Sequence, residues 1–211
     1  KKSMIFTSLF LLFLGGFQGL IGWWMVKSGL TDNPYVSQYR LSLHLGMAFF
    51  ILMICFWTAL NLSNGKSKLP RGINLLSLIF VSLTIIAGTF VSGMEAGLIY
   101  NQFPLMGETF FPIEYGEKGF LDPFENPASA QFNHRLLATV TLCIVIFTGC
   151  FSIFNNGIKI KPILLILAVS FQFLIGLLTL LYIVPIPLGV LHQFGGIILF
   201  LILIWFVHKP N

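Results

Sequence analysis

Residues 163 to 184 read ILLILAVSFQFLIGLLTLLYIV, an apolar run without a single charged residue. A helix of about 20 such residues crosses a hydrocarbon core of about 30 Å. The chain has 211 residues, of which 56% are hydrophobic and 9% charged, a composition unlike that of water-soluble domains. Comparable runs occupy residues 4–26, 41–62, 73–93, 132–154 and 188–207. Because membrane-spanning backbone must satisfy its own hydrogen bonds, we predict an all-α polytopic bundle of six transmembrane helices.

The positive charges lie in the connections between these runs and at the two termini. The net charge of +5 could suggest nucleic-acid binding, but no single stripe carries it, so we predict no nucleic-acid partner. The positive-inside rule instead places both termini of this chain on the cytoplasmic or matrix side. The basic residues assigned to that side are Lys1, Lys2, Lys66, Lys68, Arg71, Lys159, Lys161 and Lys209.

The segment from 94 to 131 separates the third and fourth runs and is assigned to the outer side. It is acidic, contains four prolines and is too long for a simple turn. Its many aromatic residues leave two interpretations open, a folded cap over the outer end of the bundle or a plain belt at the membrane interface.

Three smaller observations concern thiols, the last histidine and the first residue. The cysteines all lie within predicted spans, where we interpret them as small packing residues that form no disulfide. The cysteines are Cys55, Cys143 and Cys150.

His208 stands beside Lys209 and is interpreted as interfacial, without a role. Because residue 1 is lysine and a span follows at once, we expect an N-terminal truncation.

Three histidines, His44, His134 and His192, each follow a few residues after the start of a span. Ionisable side chains at membrane depth are costly and usually functional. At 1.5 Å per residue, all three are predicted about 5 to 8 Å below their helix starts. A repeat accompanies two of them, since FQGLIG at 17–22 precedes the first and FQFLIG at 171–176 precedes the third. We interpret this repeat as a duplicated site.

The histidine set favours haem over zinc. Zinc would favour a tetrahedral set with carboxylate or thiolate help, and nothing near these positions supplies thiolates, whereas haem iron takes neutral imidazoles from facing helices. Gly46, Gly195 and Gly196 could let a flat ring approach the backbone, or could simply allow close helix packing. Arg40 and Arg135 could neutralise haem propionates or extend to the interface.

Several motifs resemble the haem A synthase family, in its mitochondrial and alphaproteobacterial branch. The resemblance covers essentially the whole chain. The motifs are FVSGMEAGLIYNQFPLMGE at 90–108, FENP at 124–127, QFNHR at 131–135, WMVKSGL at 24–30, VSQYRL at 36–41 and PIPLGVLHQ at 185–193.

This resemblance implies eight helices in two pseudo-symmetric four-helix halves, of which six are present here. Residues 1–72 would be the remainder of the N-terminal half, with the substrate haem site. Residues 73–211 would form the C-terminal half, with outer loop 94–131.

The resemblance also implies ligands for two haems. The C-terminal half would hold haem b between its axial ligands His134 and His192. The N-terminal half would bind the iron of its substrate haem through His44. Arg135 and Arg40 are the candidate haem-binding residues beside these ligands.

The implied activity is that of an oxidoreductase that converts a methyl group of haem O to the formyl group of haem A, for cytochrome c oxidase. The family's catalytic glutamate lies in a Glu-x-x-His-Arg motif that is absent from this sequence, so the catalytic residue here is unknown. At the equivalent place in the second half stands the neutral Gln131. We therefore expect these 211 residues alone to be inactive.

The implied location is a bacterial or mitochondrial inner membrane. The candidate partners are haem O, an electron donor protein, haem O synthase, cytochrome oxidase assembly factors and further copies of this chain. The alternative is a non-catalytic membrane cytochrome b that serves electron transfer or oxidase assembly. A transporter is disfavoured, because no acidic residue lies near the centre of a span.

Overall fold

Six long helices dominate the computed structural model, which describes residues 2–29 and 35–208. Each of the six is long and apolar enough to cross a membrane, so the predicted polytopic helical fold is confirmed. A one-turn helix, α4, lies in the segment between the third and fourth long helices. The helices are α1 (Lys2–Val26), α2 (Gln38–Asn64), α3 (Ile73–Gly93), α4 (Asp122–Glu125), α5 (Pro127–Asn156), α6 (Ile160–Leu181) and α7 (Ile186–Val207).

Helix α5 begins at Pro127, earlier than the apolar run at 132 suggested. The side chain of Asn126 accepts hydrogen bonds from the backbone N–H groups of Ala128 and Ser129, at 3.0 and 3.4 Å. Proline fits the first helical position, because its missing N–H would have had no partner there. The proline that resembles a helix breaker in the sequence therefore starts the helix.

The tight turn between α6 and α7 ends α6 at Leu181. Ile183 and Val184 have φ angles of 62° and 50°, which are unusual for β-branched residues. The Val184 N–H donates back to the Thr179 carbonyl at 2.8 Å. Pro185 then precedes α7, as its sequence position suggested.

Four of the helices form a closed ring. Helix α3 packs on α5, α5 on α6, α6 on α7 and α7 on α3, while α2 packs outside against α3 and α7, and α1 chiefly against α2. Hydroxyl pairs join α3 to α5, because Ser77 lies 2.8 Å from Thr148 and Thr84 lies 2.7 Å from Thr141. Such interhelical hydrogen bonds supplement packing where lipid provides no hydrophobic force.

All three histidines lie at one end of the bundle, which we call the histidine end. The helices that carry them, α2, α5 and α7, each begin at this end. The main cluster of buried apolar residues, which includes Val145, Leu165 and Leu203, runs from the middle of the bundle to the opposite end. The densest packing is therefore displaced away from the histidines.

The three cysteines are free and are exposed on the surface of the bundle. Their interpretation as packing residues is therefore wrong, because the helices turn these side chains outward. The charges on Lys1 and Lys209, which entered the orientation argument, lie outside the described residues.

His208 is buried at the end opposite the other histidines, with 1% of its surface exposed. Its Nε2 lies 3.0 Å from Oδ1 of Asn61 on α2, and its ring meets the edge of Trp57 with centroids 5.0 Å apart. The interpretation of His208 as a merely interfacial residue is wrong. It links the C-terminal end of α7 to α2.

Burial lowers the pKa of His208, and the nearby positive charge of Lys161 adds to this effect. The folded protein therefore favours the neutral ring more than the unfolded chain does. This contribution to stability is complete above a pH of about 6.5 and is lost as the pH falls through the lower folded pKa.

We expect the melting temperature of the detergent-solubilised protein to fall as the pH decreases from about 7 to about 5. In the His208→Gln variant the amide cannot gain a proton in this range, so the fall should be smaller. Thermal unfolding followed by intrinsic fluorescence measures both profiles. Identical pH profiles for the unmodified protein and His208→Gln would contradict the assignment of this pH dependence to His208.

Candidate functional site

Each histidine ring at the histidine end lies directly against a glycine of the preceding long helix. A side chain at Gly22 or Gly176 would collide with the ring, because real Cβ contacts essentially never fall below 3.0 Å, and one at Gly88 would make an unusually tight contact with it. The pairs are His44 with Gly22, His134 with Gly88 and His192 with Gly176, and the ring Cε1 lies 2.9, 3.0 and 2.7 Å respectively from the position that a Cβ would take.

We call each histidine together with the glycine it packs against a glycine seat. The histidines of the three seats lie at similar positions along their helices. His44 and His192 are the seventh residues of α2 and α7, and His134 is the eighth of α5. These positions correspond to about 9 to 11 Å along each helix axis. The three histidines thus lie at similar distances from their helix starts, somewhat farther than the roughly 5 to 8 Å predicted, because the helices begin earlier than expected.

A glutamine one turn before the glycine completes two of the seats. Gln18 donates through Nε2 to the main-chain carbonyl of His44 at 3.0 Å, and Gln172 donates likewise to that of His192 at 2.9 Å. Residues four apart share one face of a helix, so the glutamine and glycine of the repeat both face the histidine. The repeat in the sequence is thus a repeat of one local structure.

The third seat differs in this detail. Thr84 occupies the position one turn before Gly88, and its side chain is bonded to Phe80 and Thr141. The Thr84 backbone faces the His134 ring, but Nδ1 of that ring is buried without a partner in hydrogen-bonding geometry. His134 therefore lacks the amide that accompanies the other two histidines.

The structure brings His134 and His192 together. Helices α5 and α7 occupy opposite corners of the ring of four, and the two side chains are close enough for a charge on one to act on the other. Both imidazoles are at least half-buried, and neither is paired with an acid in the described part of the chain. Two neutral imidazoles on facing helices are a donor set that suits haem iron.

Arg135 holds the segment that follows α3. Its guanidinium donates to the carbonyls of Tyr100, Gln102 and Leu105, the last two at 3.0 and 3.3 Å. Its Nε is buried without a partner. A further acceptor at Nε is compatible with this arrangement, so a propionate contact stays a prediction.

Arg40 is bound to the end of α1. Its Nη1 donates to the Trp24 carbonyl at 2.8 Å, and its Cζ lies 4.3 Å from the centroid of the Trp24 ring. Arginine is well suited to such combined stacking and carbonyl binding. Both arginines thus fix backbone near a histidine, a role that the sequence did not reveal.

The segment from 94 to 126, which we call the cap, is folded. The buried carboxylate of Asp122 accepts from the N–H groups of Gly116 and Lys118, at 2.8 and 3.1 Å. Burial alone would raise the pKa of Asp122, but these bonds, with the neighbouring Ser129 and Asn126, lower it below its usual value. Of the two interpretations, the structure therefore supports the folded cap.

The cap is fastened to the bundle near His134. Tyr100 donates to Glu114 at 2.9 Å, and this hydrogen bond raises the pKa of Tyr100. Gln131, 1% exposed, donates to the Tyr100 carbonyl at 3.0 Å, while its Oε1 is buried without a partner. Gln131 thus anchors the cap to α5.

The glycines named from the sequence are not those that touch the rings. Gly195 and Gly196 face the carboxamide of Gln172, and Gly46 has open space beside it. The sequence did indicate Gly22 and Gly176, since each is the last residue of the repeated FQxLIG motif. Gly88 had no such signal.

The described residues contain no group of three or more His, Cys, Asp or Glu side chains that could hold a metal ion. The zinc alternative therefore gains no support from them. The orphaned Nδ1 atoms of His44 and His134 and the facing pair of imidazoles fit a haem-type site better.

A family model described as cytochrome oxidase assembly protein matches residues 1–204. The chain is 41% identical over 217 residues to a protein of Parvibaculum lavamentivorans named heme A synthase, with 99% of this chain and 62% of that protein covered. It is 42% identical over 214 residues to the protein of the same name from Maricaulis maris, with 96% and 61% covered.

A more distant relative is the mouse protein named heme A synthase COX15, at 37% identity over 212 residues, with 92% of this chain and 51% of that protein covered. The chain spans less than two thirds of the length of these relatives. No solved structure matches it.

Proposed function

Since the chain belongs to the cytochrome oxidase assembly protein family, we propose that the protein acts in haem A formation, as a haem A synthase. Its substrate would be haem O, whose methyl group is oxidised to a formyl group in successive hydroxylations. The observation that supports this proposal most strongly is the set of three histidines, each packed against a glycine and each at a similar distance from its helix start.

The C-terminal half, residues 73–211, would hold a haem b between His134 and His192. The two imidazoles come from helices at opposite corners of the ring of four, and the densest apolar packing lies away from them. When bound, this haem would supply electron transfer or structural support. The residues themselves bind, orient and exclude water.

The N-terminal part, residues 1–72, would present His44 to the iron of the substrate haem. Its seat repeats that of His192, with Gln18 and Gly22 in the places of Gln172 and Gly176. Arg40 and Arg135, each close to a ligand histidine in the chain, are the candidates for propionate contacts.

With dioxygen as the oxidant, each of the two hydroxylations would place one oxygen atom on the methyl carbon and release the other as water, using two electrons and two protons; the hydrated aldehyde then loses water to give the formyl group. The hydroxylation steps need an electron donor protein as a partner. Haem O synthase, oxidase assembly factors and further copies of the chain are additional candidate partners. The location would be an inner membrane with both termini of this chain on the cytoplasmic or matrix side.

The test is expression of the protein at its full natural length in cells that make haem O, followed by chromatography of the extracted haem. We expect haem A or its hydroxylated precursor, and their loss in the His44→Ala variant. Haem b alone under aerobic conditions would contradict the enzyme proposal and favour a non-catalytic cytochrome.

A further inference from the structure

The two glutamines of the repeat have the same unfinished hydrogen bonding. Each uses Nε2 to hold a histidine carbonyl, and each leaves its Oε1 buried without a partner. In one seat Nδ1 of His44 is also buried and unpartnered. In the other, Nδ1 of His192 lies 3.2 Å from Nε2 of Gln172. Among the described residues, both seats therefore contain a glutamine Oε1 without a hydrogen-bond partner and a histidine Nδ1 without an oxygen acceptor.

Metal binding changes what that ring nitrogen requires. A neutral imidazole that binds iron through Nε2 carries its proton on Nδ1, which then becomes a donor. Ligand histidines almost always donate this second N–H to an oxygen acceptor, and that bond fixes the orientation of the ring and its basicity. Gln172 is the residue whose side chain already contacts this atom of His192.

The Gln172 carboxamide can meet this requirement by turning over and giving up its hydrogen bond to the His192 carbonyl. The two ends of an amide have nearly the same shape, and rotation about its last bond exchanges oxygen for nitrogen. Its Oε1 now lies against Gly195, where any side chain would occupy the space the amide uses. Gly195 therefore leaves room for the carboxamide in either orientation.

We propose that Gln172 is the positioning residue of His192. Its carboxamide either donates to the main-chain carbonyl of His192 or, when Nε2 of His192 binds iron, accepts the proton on Nδ1 of that ring. Gln18 has the same role toward His44. This inference rests on the proposed haem ligation and adds the residue that controls the orientation and basicity of the ligand imidazole. His134, beside Thr84, has no such amide, so the two imidazoles of the pair differ in basicity.

The experiment compares Gln172→Leu and Gln172→Glu in the purified, haem-loaded protein. The control is Gln193→Leu, the same substitution at an exposed residue next to His192; the side chain of Gln193 makes no hydrogen bond in the described ranges. The measurements are haem retention on dilution, the low-spin electron paramagnetic resonance signal and the midpoint potential of the haem.

Leucine removes the acceptor, so the imidazole becomes a weaker donor to ferric iron. We expect haem retention about tenfold weaker and a potential shifted to more positive values. Glutamate accepts the Nδ1 proton more strongly, and we expect a shift to more negative values. A role in packing alone would not move the two variants in opposite directions.

Shifts of the same sign in both variants, or potentials equal to that of Gln193→Leu, would overturn the inference. Either result would leave haem binding by His192 intact, so the proposed function would survive. Absence of haem from the unmodified protein would instead overturn the proposed function itself.

Discussion

His134→Ala and His192→Ala are each expected to abolish the low-spin spectrum of a haem with two imidazole ligands. The two side chains come from opposite corners of the helix ring, so on the proposed ligation the removal of either would leave the iron with one protein ligand. Retention of haem should fall by about tenfold or more, since ligand geometry controls affinity. Optical and paramagnetic resonance spectra of the purified variants measure the effect.

The matched control is His208→Asn, which changes a buried histidine at the opposite end of the bundle. It should retain the low-spin spectrum, because His208 contacts Asn61 and Trp57 rather than the histidine pair. His44→Ala should also retain it while losing haem A formation. An unchanged spectrum in both His134→Ala and His192→Ala would refute the pairing.

Gly176→Ala is expected to produce nearly as large a loss of haem through a single added methyl group. Its Cβ would lie 2.7 Å from Cε1 and 3.2 Å from Nδ1 of His192, so the ring must leave its present position. Helices α6 and α7 are closely packed and cannot separate freely. Haem content per protein and the low-spin signal provide the measurement.

Gly189→Ala is the control, because a Cβ at that position of α7 meets nothing within 4 Å. Alanine favours helix over glycine by about 1 kcal/mol in either helix. A loss of haem confined to Gly176→Ala would therefore reflect displacement of the ring rather than an unstable helix. Equal haem content in the two variants would show that the seat does not control ligation.

The spans could be predicted from the sequence because hydropathy and length alone determine whether a helix can cross a membrane. The start of α5 could not, since it depends on Asn126 as a cap and Pro127 as a tolerated first residue. Likewise, the end of α6 depends on positive φ angles at Ile183 and Val184, which apolar composition does not reveal.

The histidines were recognisable because ionisable residues are rare at membrane depth and because two of them follow a repeat. The partners of Arg40 and Arg135 were not, since backbone carbonyls are present everywhere in a sequence and only tertiary structure selects Trp24 or Tyr100. The burial of His208 could not be predicted from the sequence either, because a position near the end of a span does not indicate which helix covers the side chain.

Each glycine seat joins two membrane spans that are consecutive along the chain. Gly22 and His44 belong to α1 and α2, Gly88 and His134 to α3 and α5, and Gly176 and His192 to α6 and α7. A seat therefore requires nothing beyond one inserted pair of spans, and each can form during synthesis as soon as its second helix has entered the bilayer. The ligands would then be oriented before the pairs assemble, so that cofactor capture can be the last step of biogenesis.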